Sequence, residues 1–178
     1  METGAAFLAQ SREYLAAHYL PKITDAIERL SEADLWWRPN NASNSIGNLM
    51  LHLAGNIRQW IVSGVGGAPD SRDRASEFTR REPLPRDELL AILTEAVLEA
   101  DAVIARIDPA DLHDRRPVQG RDVTTFEAIY HVVEHFSMHA GQILYIAKLR
   151  SGADLGLYEM QSGIPRPAWP GHPVSGSA

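Results

Sequence analysis

The chain has 178 residues, 44% of them hydrophobic and 22% charged, with a formal net charge of −6 and no Cys. That length argues for one domain with its own core, and that composition excludes a disordered chain. Without Cys there is no disulfide, thiolate metal site or cysteine nucleophile, and 17 Lys and Arg against 23 Asp and Glu lack the positive field that nucleic-acid binding needs.

The N-terminal segment METGAAFLAQSREYLAAHYL carries Glu2, Arg12 and Glu13 in place of a basic start and an apolar run, so no signal peptide is expected. No stretch approaches the roughly 18 apolar residues of a membrane span. By elimination, the expected location is the cytoplasm.

Four long stretches carry helical periodicity. The first runs from about Ala5 to Leu30, with Phe7, Leu8, Leu15, Leu20, Ile23, Ile27 and Leu30 largely at three- and four-residue steps. Pro21 should kink or divide it. Ser31 then caps a short turn that Pro39 closes. The second helix opens after Asn40–Asn44, with Ser45 or Asn44 as N-cap and a stripe of Ile46, Leu49, Met50, Leu53, Ile57, Trp60 and Ile61, and it stops near Gly64. Trp36, Trp37 and Trp60 read as core or rim residues. Residues 65–84 are polar and charged and read as a long solvated connection.

The third helix starts near Pro85 and runs to Asp108–Pro109. The segment DLHDRRPVQGRDV reads as loop. Thr124 or Thr125 caps a fourth helix with Glu127 in its first turn, ending near Arg150 before Gly152. The tail, with Pro165, Pro167, Pro170 and Pro173, fits neither helix nor central strand. No strand pair is expected. The fold expected is all-α: a four-helix bundle over residues 1–150, with a crossover connection and an irregular Pro-rich tail over residues 151–178.

The chemistry sits on the fourth helix, in YHVVEHFSMHAGQI. His131, His135 and His139 are four residues apart, so their rings stack along one helix face. With Ile129 as zero, they fall at about 200°, 240° and 280°, beside a stripe centred near Ile129. His139 is thus the most inward and His131 the most exposed. On the second helix, His52 falls at about 240° when Ile46 is zero, the matching flank. If the two helices are neighbours, His52, His135 and His139 can converge on one metal ion. Gln142 shares the histidine flank and Asn56 lies one turn after His52, so both are candidates for supporting hydrogen bonds or substrate contacts. His131 is a candidate acid/base group at the site mouth or simply an exposed histidine. The lone His18, His113 and His172 carry no such pattern.

The segments WRPNNASNSIGNLMLHLAGNIRQW and EAIYHVVEHFSMHAGQI together resemble the DinB/YfiT-like superfamily over about residues 5–150. The resemblance implies a four-helix bundle with a crossover and a metal site of one His from the second helix and two from the last, here His52, His135 and His139. It also implies reactions that use small thiols (bacillithiol, mycothiol or glutathione) or metal-dependent hydrolysis, and frequent dimers.

Three imidazoles would leave an ion with open positions, which suits activation of water or of a thiol cosubstrate. Zn²⁺ and Ni²⁺ both suit such ligands. The expected function is a metal-dependent enzyme acting on a small electrophile, with His131 and Gln142 as its candidate catalytic residues; the alternative is a non-catalytic metal- or ligand-binding bundle. Loop arginines Arg72, Arg74, Arg80 and Arg81 are candidates for an anionic cosubstrate. Apolar surface left on the first and third helices would support a homodimer.

Overall fold

The computed structural model describes residues 3–170. It is mainly helical, with two small antiparallel hairpins. No helix is long and apolar enough to cross a membrane among the described residues. The helices are α1 (Thr3–Glu13), α2 (Leu20–Glu28), α3 (Glu32–Leu35), α4 (Ile46–Ile57), α5 (Arg74–Thr79), α6 (Arg86–Ile104) and α7 (Thr125–Ser151). A π-helical segment, Tyr14–Tyr19, joins α1 to α2, and a second, Arg58–Val65, extends α4. The hairpins are β1 (Arg115–Val118) with β2 (Arg121–Thr124) and β3 (Tyr158–Gln161) with β4 (Ile164–Pro167).

The helix starts follow local chemistry. Ser45 caps α4 in a capping box with Asn48, and Thr124 caps α7 in one with Glu127. Gly152 ends α7 with φ 64°, a left-handed cap that glycine adopts without a Cβ clash. Pro85 sits one residue before α6 and acts as its N-cap.

Pro21 does not end the first helical run. Its missing N–H leaves the Ala17 carbonyl without the ordinary i+4 donor. A π turn takes up the local change, and the Trp169 indole N–H donates to Ala17 O at 3.0 Å. The tail therefore folds back onto the first helical run. Lys22 lies 3.7 Å from the centroid of the Trp169 ring.

Two expectations need correction. The segment read as loop between the third and fourth helices, and the tail read as irregular, each contain a hairpin. Both use two-residue turns with positive φ, at Gln119–Gly120 and Ser162–Gly163. Their four-residue strands carry Pro117, Pro165 and Pro167, which two-stranded ribbons tolerate at positions that donate no ladder bond. With no alternating apolar face, such strands leave only the X-Gly turn as a signal. His172 and Pro173 lie outside the described residues.

One core forms between the long helices. α2 packs against α6 and α7, and α4 packs against the same two. Ile23, Ile27, Leu53, Ile57, Leu93, Ala96, Phe136 and Ile143 lie in it. Among the large apolar side chains of the described residues, α7 exposes Phe126, Tyr130, Met138, Tyr145 and Leu149, the β3–β4 hairpin exposes Tyr158, Met160 and Ile164, and the first and third long helical runs expose only Tyr14 and Leu98.

Trp169 tests whether the tail belongs to the cooperative unit. Trp169→Phe, which removes the bond to Ala17, should cost about 1 kcal/mol. Trp169→Ala should cost about 3 kcal/mol. Urea denaturation measures both, and an unchanged midpoint for Trp169→Ala would show that the tail docks independently of folding.

Candidate metal centre

α4 and α7 present the histidines to each other. His52 Nε2 lies 2.9 Å from His135 Nε2. Ligand atoms of His52, His135 and His139 all fall within 4.8 Å of one another, close enough for one ion to be held by all three. His52 and His139 are buried, and His135 is half-buried. The buried face of α7 runs through Thr125, Ala128, Val132, Phe136, His139 and Ile143. It is rotated toward the histidines relative to a stripe centred on Ile129, which carries His139 into the core. His131 stays at the edge, as its place on the helical wheel implies.

Two rings are oriented from behind. His52 Nδ1 lies 2.8 Å from Glu77 Oε2 and 3.1 Å from Arg72 Nη2; the shorter contact is to an acceptor-only carboxylate and assigns the Nδ1 proton to it, and the His139 Nδ1–H donates to Gln142 Oε1 at 2.8 Å. These tautomers follow from their acceptor-only oxygens. Each leaves Nε2 with its lone pair free for a cation, the arrangement that supporting acceptors impose on metal-binding imidazoles.

Glu77 comes from the segment read as a solvated connection, and that reading is corrected here. The segment contains α5, and Glu77 is buried within it. Arg72 Nε donates to Glu77 Oε1 at 2.7 Å and Arg72 Nη2 to Oε2 at 2.8 Å, with both side chains almost fully covered. Burial alone would raise the Glu77 carboxyl pKa, but the bonds from Arg72 and His52 outweigh it and hold the group below its ordinary value. Arg72 is thus an internal partner of Glu77, not a free anion site. Arg74 lies over the Phe78 ring, and Arg80 and Arg81 bond backbone carbonyls of their own segment.

The motif NSIGN explains how this segment is held. Ser45 caps α4. A Cβ on Gly47 would stand 2.7 Å from the Trp36 ring, so only glycine admits that ring. Asn48 Nδ2 donates to Glu77 O at 2.7 Å and to Arg80 O at 3.3 Å, which clamps the end of α5 onto α4. Gly55, one turn beyond Leu51 and three residues from His52, makes room for the carboxylate: a Cβ there would meet Glu77 Oε1 at 2.0 Å. Phe78 covers His52, with ring centroids 4.6 Å apart.

Burial depresses all three helix-α7 histidines. The His135 ring falls to about 3, through burial and then through its neighbours His139, His52 and His131. His139 is lowered by burial despite its bond to Gln142, and His131 is lowered mainly by burial. Neutral imidazoles with available lone pairs are the form that binds a metal.

His131 stands apart from the triad. Asn56 Nδ2 donates to His131 Nε2 at 3.3 Å, and the Trp60 ring lies 4.0 Å away by centroid. Trp60 Nε1 is buried with no hydrogen-bond partner among the described residues. The sequence pattern did not point to Glu77 or Gly55, and it pointed to Arg72 as an anion site where the structure pairs it with Glu77. The available signal was the run DSRDRASEF between a glycine-rich turn and the prolines Pro83 and Pro85, where charge alone masked a helix.

Gly55→Ala should push the carboxylate away from His52 and strand two buried charges, costing about 3 kcal/mol. Denaturation of the full chain measures this, and a stability equal to the parent's would show that Glu77 is not seated against Gly55.

A family model described as a protein of unknown function (DUF1572) matches residues 2–163. No curated protein matches the chain.

Proposed function

The chain belongs to the DUF1572 family, and we propose that it is a DinB-like, metal-dependent enzyme that activates water or a small-molecule thiol for attack on a small electrophile. The DinB-like four-helix bundle with a crossover is supported by the pattern of neighbours, because α2 and α4 share α6 and α7 on either side. The observation that carries the enzymatic reading is the donor set. Three imidazoles face one another, two of them fixed from behind by Glu77 and Gln142.

His52, His135 and His139 would hold the ion, with Zn²⁺ or Ni²⁺ suited to three imidazoles. A bound divalent ion would lower the pKa of a coordinated water or thiol and supply Lewis acidity. The remaining steps belong to this chain's own residues. Glu77 and Gln142 keep the two rings aimed, and Phe78 excludes water from behind His52. His131 lies within reach of the triad, with its ring centroid 5.3 Å from that of His135. The bond from Asn56 leaves its proton on Nδ1 and its lone pair at Nε2. Nε2 would take the nucleophile's proton once the Asn56 amide turns away and releases that lone pair.

The same reading extends to a homodimer. Its support is the exposed pair Phe126 and Tyr130, stacked with centroids 6.2 Å apart and backed by the half-buried Phe7 ring 4.4 Å from Phe126. A sedimentation mass of a single 19.7 kDa chain would reject it.

Elemental analysis of the purified full chain tests the centre. About one equivalent of divalent metal is expected, lost in His135→Ala and His139→Ala and retained in His131→Ala. Glu77→Gln should weaken metal affinity about 10- to 100-fold. In a thiol-conjugation screen with small electrophiles, His131→Ala should lower turnover about 100-fold while metal content holds. Full metal content in the His135 and His139 variants would sink the site. Metal loss in His131→Ala would make it a fourth ligand and close the open position on which the enzymatic reading depends.

A further inference from the structure

A cleft opens one helical turn from the histidines, on the side of the α4 N-terminus. Leu49 lies three residues before His52 and Gln142 three residues after His139, and both line it. Three residues of helix rise only about 4.5 Å. The cleft has a volume of about 410 Å³, within the range of small-molecule sites. Gln142 belongs to both places: its Oε1 holds His139, while its side chain forms part of the cleft wall.

The chemistry of the cleft is selective. Trp37 and Tyr145 supply aromatic walls, and Leu49 and Ile146 supply aliphatic ones. Among the described residues, no Asp, Glu, Lys, Arg or His side chain lines it. Its polar groups are uncharged. The half-buried Asn44 amide makes no side-chain hydrogen bond among the described residues, and Gln142 Nε2 has no partner there either. Tyr145 is 65% exposed, an apolar ring standing open at the rim. The Trp37 wall is fixed, because Arg150 lies 4.9 Å from the ring centroid and is itself tied to Asp34 at 2.6 Å.

We propose that this cleft seats the uncharged, aromatic or aliphatic body of the substrate, with a carbonyl or similar neutral acceptor bonded by the amides of Asn44 and Gln142. An anionic cosubstrate finds no countercharge here. Such a body delivers the reacting end of the molecule to the histidines one turn away. That the occupant is the substrate of the metal centre rests on the reading above; the neutral, aromatic character of the ligand does not.

Three small probes test the cleft without any metal: 2-naphthamide, its anion counterpart 2-naphthoate, and butyramide, which lacks the ring. The side-chain NH₂ resonances of Asn44 and Gln142 in the full chain are the readout. Saturable shifts with 2-naphthamide are expected, with binding at least about 10-fold weaker for 2-naphthoate and for butyramide. Ala42→Trp, which fills the rim from an exposed position, and Tyr145→Ala, which removes a wall, should each abolish that preference. Equal binding of the anion, no shift with 2-naphthamide, or a preference that survives both substitutions would overturn the proposal. On zinc-loaded protein, 2-naphthohydroxamate should bind at least about 10-fold tighter than acetohydroxamate, with the gain lost in Ala42→Trp. Equal hydroxamate affinities would detach the cleft from the metal centre and overturn its role as substrate seat. Absence of metal from the purified protein would reject the metal reading alone, since the amide probes report on the cleft without it.

Discussion

The Glu77 carboxylate, buried between Arg72 and His52, is the constraint around which the site is built. A carboxylate out of water is costly unless its oxygens are met, and here Arg72 bonds both of them while His52 Nδ1–H meets one. The charge therefore cannot leave without stranding Arg72, and the loop that carries both must stay against α4. Everything that lets this happen is absence or exact fit of small groups. Gly55 provides the space for the oxygens, and Asn48 reaches from the α4 capping box to the α5 backbone. Gln59 extends the network outward, accepting from Arg72 Nη1 at 2.9 Å and bonding the Gln119 side chain of the β1–β2 turn.

The same pin decides the chemistry of His52. With its Nδ1 proton held by Glu77, its Nε2 faces His135. His139 is held in the same sense by Gln142. Burial keeps the α7 rings neutral, and the ligand atoms of all three rings gather where protonated rings would repel one another. The π-helical segment after α4 belongs to this geometry too. It carries Trp60 to the His131 ring while keeping Trp60 in the core, a use of π turns common near functional sites.

Polarity is divided along the α4–α7 groove. Behind His52 the groove is lined by buried charge, and beyond His139 it becomes neutral and apolar. Gln142 stands at the border, with one end of its amide on a histidine and the other free. A centre with charge at its back and an uncharged cleft at its side suits a reaction in which a polar group is activated on a largely apolar molecule.

The sequence by itself determined the four long helical runs, the caps of α4 and α7 and the stacking of His131, His135 and His139, because those are properties of residues within one or two turns of each other, whereas the short α5 was masked by its charge. Ser45, Thr124, Glu127 and Gly152 act at the helix ends where their side-chain chemistry places them. The spacing of four puts imidazoles on one face whatever surrounds the helix. His52 was legible as a partner because its flank matches. The two hairpins were not, since strands of four residues containing proline have no apolar period. Nor was Glu77: in sequence it is one charged residue among many, 25 positions from the His52 that it orients. Which face of α7 turns inward, whether Arg72 meets solvent or a carboxylate, and whether Asn44 and Tyr145 border a cleft were decided only by the tertiary structure. Burial and pairing of a charge depend on which distant segment arrives beside it, and no local pattern of residues encodes that arrival.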